Sequence, residues 1–170
     1  MSKPCLTLKR LKEVLSYDPR TGIFVWKQKP GCTVGKTAGS SKDRYIRIGI
    51  DGKIYKAHRL AWFYVHGKWP KRGLDHRDLS EQNNRIRNLR EASHSQNGAN
   101  VRRNKANTSG FKGVYFKQDK RFLHLAPVWI ARINVARKHI HLGRFKSVQA
   151  AGAAYATAAR YYYGEFARSA

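Results

Sequence analysis

The stretch LDHRDLSEQNNRIRNLREASHSQN, Leu74 to Asn97, looks wrong for a core. Beyond its first residue its large aliphatic anchors are Leu79, Ile86 and Leu89, set among carboxylates, amides, imidazoles and guanidiniums. With so thin an apolar frame, little burial energy is available to shape it. Whatever shape it takes must come from polar contacts, and the gathering of a carboxylate, an imidazole and several amides asks for a chemical reason.

The chain has 170 residues, room for one domain or for two or three small ones. Modules of roughly 50 to 60 residues bury only about 60% of their unfolded surface and are marginal. A hydrophobic share of 41% with 12% aromatics is enough for packed cores and argues against wholesale disorder. Against 10 Asp and Glu stand 35 Lys and Arg, a formal charge of +25 that needs a polyanionic partner. DNA, RNA and an anionic membrane all qualify by charge. No apolar run approaches the ~18 to 20 residues of a spanning helix, and MSKPCLTLKR lacks the apolar segment of a secretion signal, so a membrane partner is not expected. Cys5 and Cys32 cannot complete a four-ligand zinc site in the usual spacing and read as reduced thiols of a cytoplasmic protein.

Thr7 caps a short helix with Leu8, Leu11, Val14 and Leu15 at helical spacing, and DPRTG makes a turn. Residues 23–27, 45–50 and 53–57 read as strands, the last two joined by the hairpin turn Asp51-Gly52. From His58, HRLAWFYVHGKWP reads as a helix ended by Gly67 and Pro70. NGANVRRNKANTSG is the best linker candidate and suggests a boundary near residue 107. Beyond it GVYFK, PVWIARINV and KHIHLGRF form a three-stranded meander, with a tight connection at Ala136-Arg137-Lys138. Ser147 then caps an alanine-rich helix that stops at Gly164. The expected organisation is an N-terminal helix and hairpin element at 1–57, a central domain at 58–106 and a sheet-plus-helix domain at 107–170. The fold class is α+β.

Mg²⁺ takes hard oxygen ligands and keeps several waters, so one carboxylate and one amide oxygen suffice when phosphate completes the shell. Asp75 and Asn97 can supply them. An imidazole with an ordinary pKa of about 6.5 suits the activation of a water near neutral pH, and His76 adjoins Asp75. Neighbours on an extended strand face opposite ways, so this pairing needs the strand to twist or end there.

The order DH, then NL thirteen to fourteen residues after Asp75, then QN, resembles the HNH homing endonucleases in their ββα-metal form common in phages. The resemblance implies one Mg²⁺ or Mn²⁺ per site held by Asp75 and Asn97, His76 as general base and Asn88 as the organiser of loop and base. HRLAW and GKWP also look like that family's approach to its site. Many relatives carry Gly and Asp where this chain has Leu79 and Asn83, which leaves the loop geometry open. The bland alternatives are a structural histidine and an Asn-rich set of turn caps, in a protein that binds DNA without cutting it.

Residues 109–168, marked by Lys112-Gly113-Val114, Trp129-Ile130-Ala131, Leu142-Gly143-Arg144-Phe145 and Gly164-Glu165-Phe166-Ala167, resemble the plant ethylene-response-factor DNA-binding domain of the APETALA-two type. That likeness implies a sheet laid in the major groove and backed by the helix. Its DNA-facing candidates here are Lys112, Tyr115, Lys117, Trp129, Arg132, Asn134, His141 and Arg144, with Trp129 equally a core residue. Tyr115 and His141 stand where plant members have Arg and Trp, and QDKRFLHLAP lengthens the first connection, so no base preference carries over. Arg44, Arg47, Lys53 and Lys56 form a further basic hairpin face suited to phosphate. The whole reads as a site-directed endonuclease on double-stranded DNA, nicking as a monomer or cutting both strands as a dimer, inside a bacterial cell if phage-encoded. An RNA-binding protein is favoured by charge alone.

Overall fold

The computed structural model describes residues 6–28, 31, 34–41, 44–118 and 128–168. Cys5, Cys32 and all but the first residue of the QDKRFLHLAP insertion lie outside them. The chain divides into two compact units, Met1–Ala92 and Ser93–Ala170. The position near residue 107 falls inside the second.

In the first unit, α1 (Leu8–Val14) starts at Thr7, whose side chain accepts from Arg10 N at 3.2 Å. It runs directly into β1 (Leu15–Asp18), which pairs antiparallel with β2 (Ile23–Trp26) across the Asp18–Gly22 turn. Strands β3 (Arg47–Ile50) and β4 (Lys53–Lys56) form a second hairpin whose turn residues Asp51 and Gly52 both have positive φ, as a two-residue turn matching strand twist requires. Helix α2 (Ala57–His66) follows at once and ends on left-handed Gly67. Leu60, Ala61 and Phe63 on α2 meet Leu11, Val14 and Leu15 near α1 and Tyr17, Phe24, Ile48 and Ile50 from the hairpins, one continuous core that also includes Leu89. Each large side chain buried there contributes about 1.5–3 kcal/mol. Against this core lie β5 (Gly73–His76) and β6 (Leu89–Ala92), an antiparallel pair joined by a long loop that ends in a 3₁₀ turn at Ile86–Asn88.

The second unit opens with α3 (His94–Asn100), held by a capping box in which Ser93 Oγ accepts from Gln96 N and Gln96 Oε1 accepts from Ser93 N. The first four residues of the segment expected as a linker belong to α3, and the rest is a polar loop tied to itself: Asn107 Oδ1 accepts from Gly110 N at 2.9 Å, and Ser109 Oγ donates to Val114 O at 2.8 Å. Strands β7 (Val114–Lys117), β8 (Val128–Val135) and β9 (Lys138–Phe145) form the expected meander, with a register shift between Ala131 and Arg132. Helix α4 (Val148–Tyr163), capped by Ser147, packs Ala151, Tyr155 and Ala159 on Val114, Ala131 and Ile133. Gly113 is needed where β7 begins: its φ is +65°, and a Cβ would lie 2.2 Å from Arg132 O and 2.4 Å from the Tyr155 ring. The mixed small sheets and helices are α+β. No helix among the described residues is long and apolar enough to cross a membrane.

Candidate functional site

Strand β5 ends at His76, and this meets the condition the sequence set: Leu74, Asp75 and His76 are all buried in succession. Asp75 lies opposite Arg90 in the β5–β6 register, and Arg90 Nε donates to Asp75 Oδ2 at 2.8 Å with both side chains under a tenth exposed. Opposite charges at facing strand positions reinforce the pairing. A buried carboxylate stripped of its guanidinium is costly, so Arg90→Leu is expected to destabilise the protein by about 3–5 kcal/mol. Chemical denaturation of the two proteins measures it, and a loss below about 1 kcal/mol would show the pair to be dispensable.

The loop after His76 is organised by Asn88. Its Nδ2 donates to Asp78 Oδ1 at 2.9 Å and to Asn83 O at 2.8 Å, and its Oδ1 accepts from Asp78 N at 3.1 Å. Burial opposes charge on Asp78, but Ser80 N, Asn83 and Asn88 donate to it and hold its carboxyl below the usual range. The two departures from the HNH pattern are both accommodated. Leu79 takes φ +64°, the left-handed conformation for which glycine is favoured, at a cost of about 1–2 kcal/mol. Asn83 Nδ2 donates to Asp78 Oδ2 at 2.5 Å, a bond an ionised aspartate could not make.

The His76 ring is buried in the first unit. Burial pulls its imidazole below the ordinary value, opposed by the bond to Asn84 and by the charges of Asp78, Glu81 and Asp75. It is therefore neutral near pH 7 and able to take a proton. His58, in the first turn of α2, meets it edge-on with ring centroids 5.1 Å apart, and Tyr45 meets His58 edge-on at 5.2 Å. His58 is pushed down to about 3, by burial first and then by electrostatic coupling to His76 and repulsion from Lys56 and Arg59. Its Nδ1 has no hydrogen-bond partner among the described residues.

Asn97 lies on α3 in the second unit and is partly buried. Among the described residues no group of three or more His, Cys, Asp or Glu stands ready for a metal. The donor set expected from sequence is instead one carboxylate and one amide oxygen, hard ligands that suit Mg²⁺ or Mn²⁺ when waters and phosphate fill the shell.

The exposed sheet face of the second unit carries most of the expected DNA-facing residues. Tyr115, Ile130 and Arg144 form one row across the three strands and Arg132 and His141 the next. The Arg132 guanidinium lies 5.2 Å from the Tyr115 ring centre. Asn134 and Lys117 are exposed on the same side, and Asn134 Oδ1 contacts His139 Nδ1. Trp129 does not join them: it faces α4 with Phe116 and Phe145, which is the core option of the two. Lys112 is also elsewhere. Its Nζ donates to Ala99 O at 2.8 Å near the end of α3, and burial, aided by Arg168, lowers it to about 8. It borders a cleft of about 1000 Å³ lined also by Ser95, Arg103, Arg132, Arg137 and Tyr163.

On the β3–β4 hairpin, Arg47 and Lys56 share the outer face, whereas Lys53 opposes Ile50 on the other. Arg44 is exposed and paired with Glu81 at 2.5 Å. Sequence reasoning missed Arg90, His58 as a neighbour of His76, Asn84 and His139. His139 alone carried a plain signal, since KHIHL places it two residues from His141 on one side of a strand.

Residues 55–99 match the family model described as HNH endonuclease, a stretch that includes Asp75, His76, Asn88 and Asn97. This segment is similar to nuclease domains of the HNH type. No curated protein and no solved structure matches the chain.

Proposed function

We propose that the protein is a site-directed, metal-dependent DNA endonuclease in which His76 is the general base, Asp75 and Asn97 hold one divalent ion, and Asn88 fixes the loop beside them. The reading rests above all on the buried Asp75-His76 pair at the end of β5, next to a loop stapled by Asn88, within the stretch that matches HNH endonucleases. When bound, the ion supplies Lewis-acid stabilisation to the leaving oxygen. The neutral His76 ring takes the proton of the attacking water, and Arg90 keeps the Asp75 carboxylate aimed. Water attacks in line and the products carry 5′-phosphate and 3′-hydroxyl ends. The exposed sheet of the second unit, with Tyr115, Arg132, Asn134, His141 and Arg144, meets duplex DNA and brings the nuclease to its site. One such site cuts one phosphodiester at a time, so a monomer nicks.

A second reading draws on the Asp75–Arg90 pair: a carboxylate already satisfied by a guanidinium suits a DNA-binding protein that no longer cuts. Supercoiled plasmid with Mg²⁺, with and without EDTA, separates the two. Relaxed or linear product that disappears with EDTA is expected; plasmid that stays supercoiled while its gel mobility shifts would decide for the second reading.

A further inference from the structure

Asn84 is only 1% exposed, and nothing in the chemistry above uses it. Its backbone carbonyl accepts from the Tyr17 hydroxyl at 2.7 Å, and its Oδ1 faces His76 Nε2 at 3.5 Å. Its Nδ2 has no partner among the described residues. A buried amide with an unpaired donor destabilises a protein relative to an apolar residue of the same shape, so its presence calls for a role other than stability.

The backbone that carries Asn84 is braced from the first hairpin. Gly22 has φ +77°, and a Cβ there would lie 2.5 Å from Arg85 N and 2.6 Å from Asn84 C, so turn and loop meet backbone to backbone. Ile86 N donates to Pro19 O at 3.3 Å beside this contact. Tyr17 is fixed in turn by the core, its ring 4.6 Å from Phe24 and 5.7 Å from Tyr64. Asn88, by contrast, uses its amide on Asp78 and Asn83 and so orders the loop.

We propose that Asn84 is a positioning residue for His76, fixing the angle of the ring and the nitrogen that bears its proton, with Tyr17 and the Gly22 turn holding Asn84 in place. This deepens the reading of His76 as the base and rests on it. An amide oxygen only accepts, so the neutral ring that faces it carries its proton on Nε2. At 3.5 Å the contact is long, as catalytic hydrogen bonds often are before substrate binds.

Nitrogen NMR of the full-length protein labelled in histidine, without DNA, reads the tautomer of His76. The wild type is expected to carry Nε2–H. Asn84→Leu should mix or reverse the tautomer and lower kcat by about 10–100-fold with little change in KM. Asn84→Asp, which keeps the acceptor, should retain Nε2–H and most of the rate. Nδ1–H in the wild type, or parental kcat and tautomer in Asn84→Leu, would overturn the proposal. If Asn84→Leu fails to fold, the wild-type tautomer and the Asn84→Asp rate still decide it. A wild type that carries Nε2–H yet does not cut would defeat the nuclease reading while leaving the tautomer assignment standing.

Discussion

Raising salt from about 50 to about 200 mM is expected to weaken duplex binding by about 10³–10⁵-fold, the loss for a protein that covers roughly six to ten phosphates. The expectation follows from the charge of +25 and from where part of it lies. Arg132 and Arg144 are exposed on one sheet face, and Arg47 and Lys56 on one hairpin face. Each phosphate neutralised releases condensed counterions, so the logarithm of affinity should fall linearly with the logarithm of salt. A fluorescence titration over a salt series gives the slope. A nearly flat line would mean that the positive charge serves solubility alone. Competition with RNA in the same titration tests the choice of nucleic acid, since equal affinity for both would remove the preference for DNA.

Replacing His76 with alanine is expected to slow plasmid cleavage by about 10²–10⁴-fold, the usual share of a general base, with DNA binding retained. His76 is buried and depressed below its ordinary value, so near neutrality it stands in the form that accepts a proton. Its removal opens a space beside His58 and Asn84, and a melting curve should accompany the rate. A folded variant that cuts at the parental rate would strip His76 of the role. His58 does not substitute for it: its ring, pushed down to about 3, is far too weak a base at neutral pH.

Local rules carried far in this chain. Thr7 and Ser147 cap the helices expected of them, and Asp51-Gly52 turns the hairpin it announces. These features depend on neighbours three or four residues away. What escaped notice depends on register or distance. Arg90 meets Asp75 only because β5 and β6 pair as they do, and Asn84 is held by a tyrosine 67 positions earlier. Trp129 is a different matter. It alternates with Arg132 and Asn134 along β8, so strand geometry already separates them, and the family likeness had grouped what the pleat divides. The reverse holds in β9, where the irregularity opposite Ala131 and Arg132 returns Arg144 to the side of His141. No count of alternate residues could find that.

The contact of the Gly22 turn with the backbone at Asn84 and Arg85 also limits protein engineering. A chimera built from residues 55–99 alone would leave behind Tyr17, Gly22 and most of the apolar partners of Leu89. The smallest stretch that keeps these contacts is therefore larger than the matched segment.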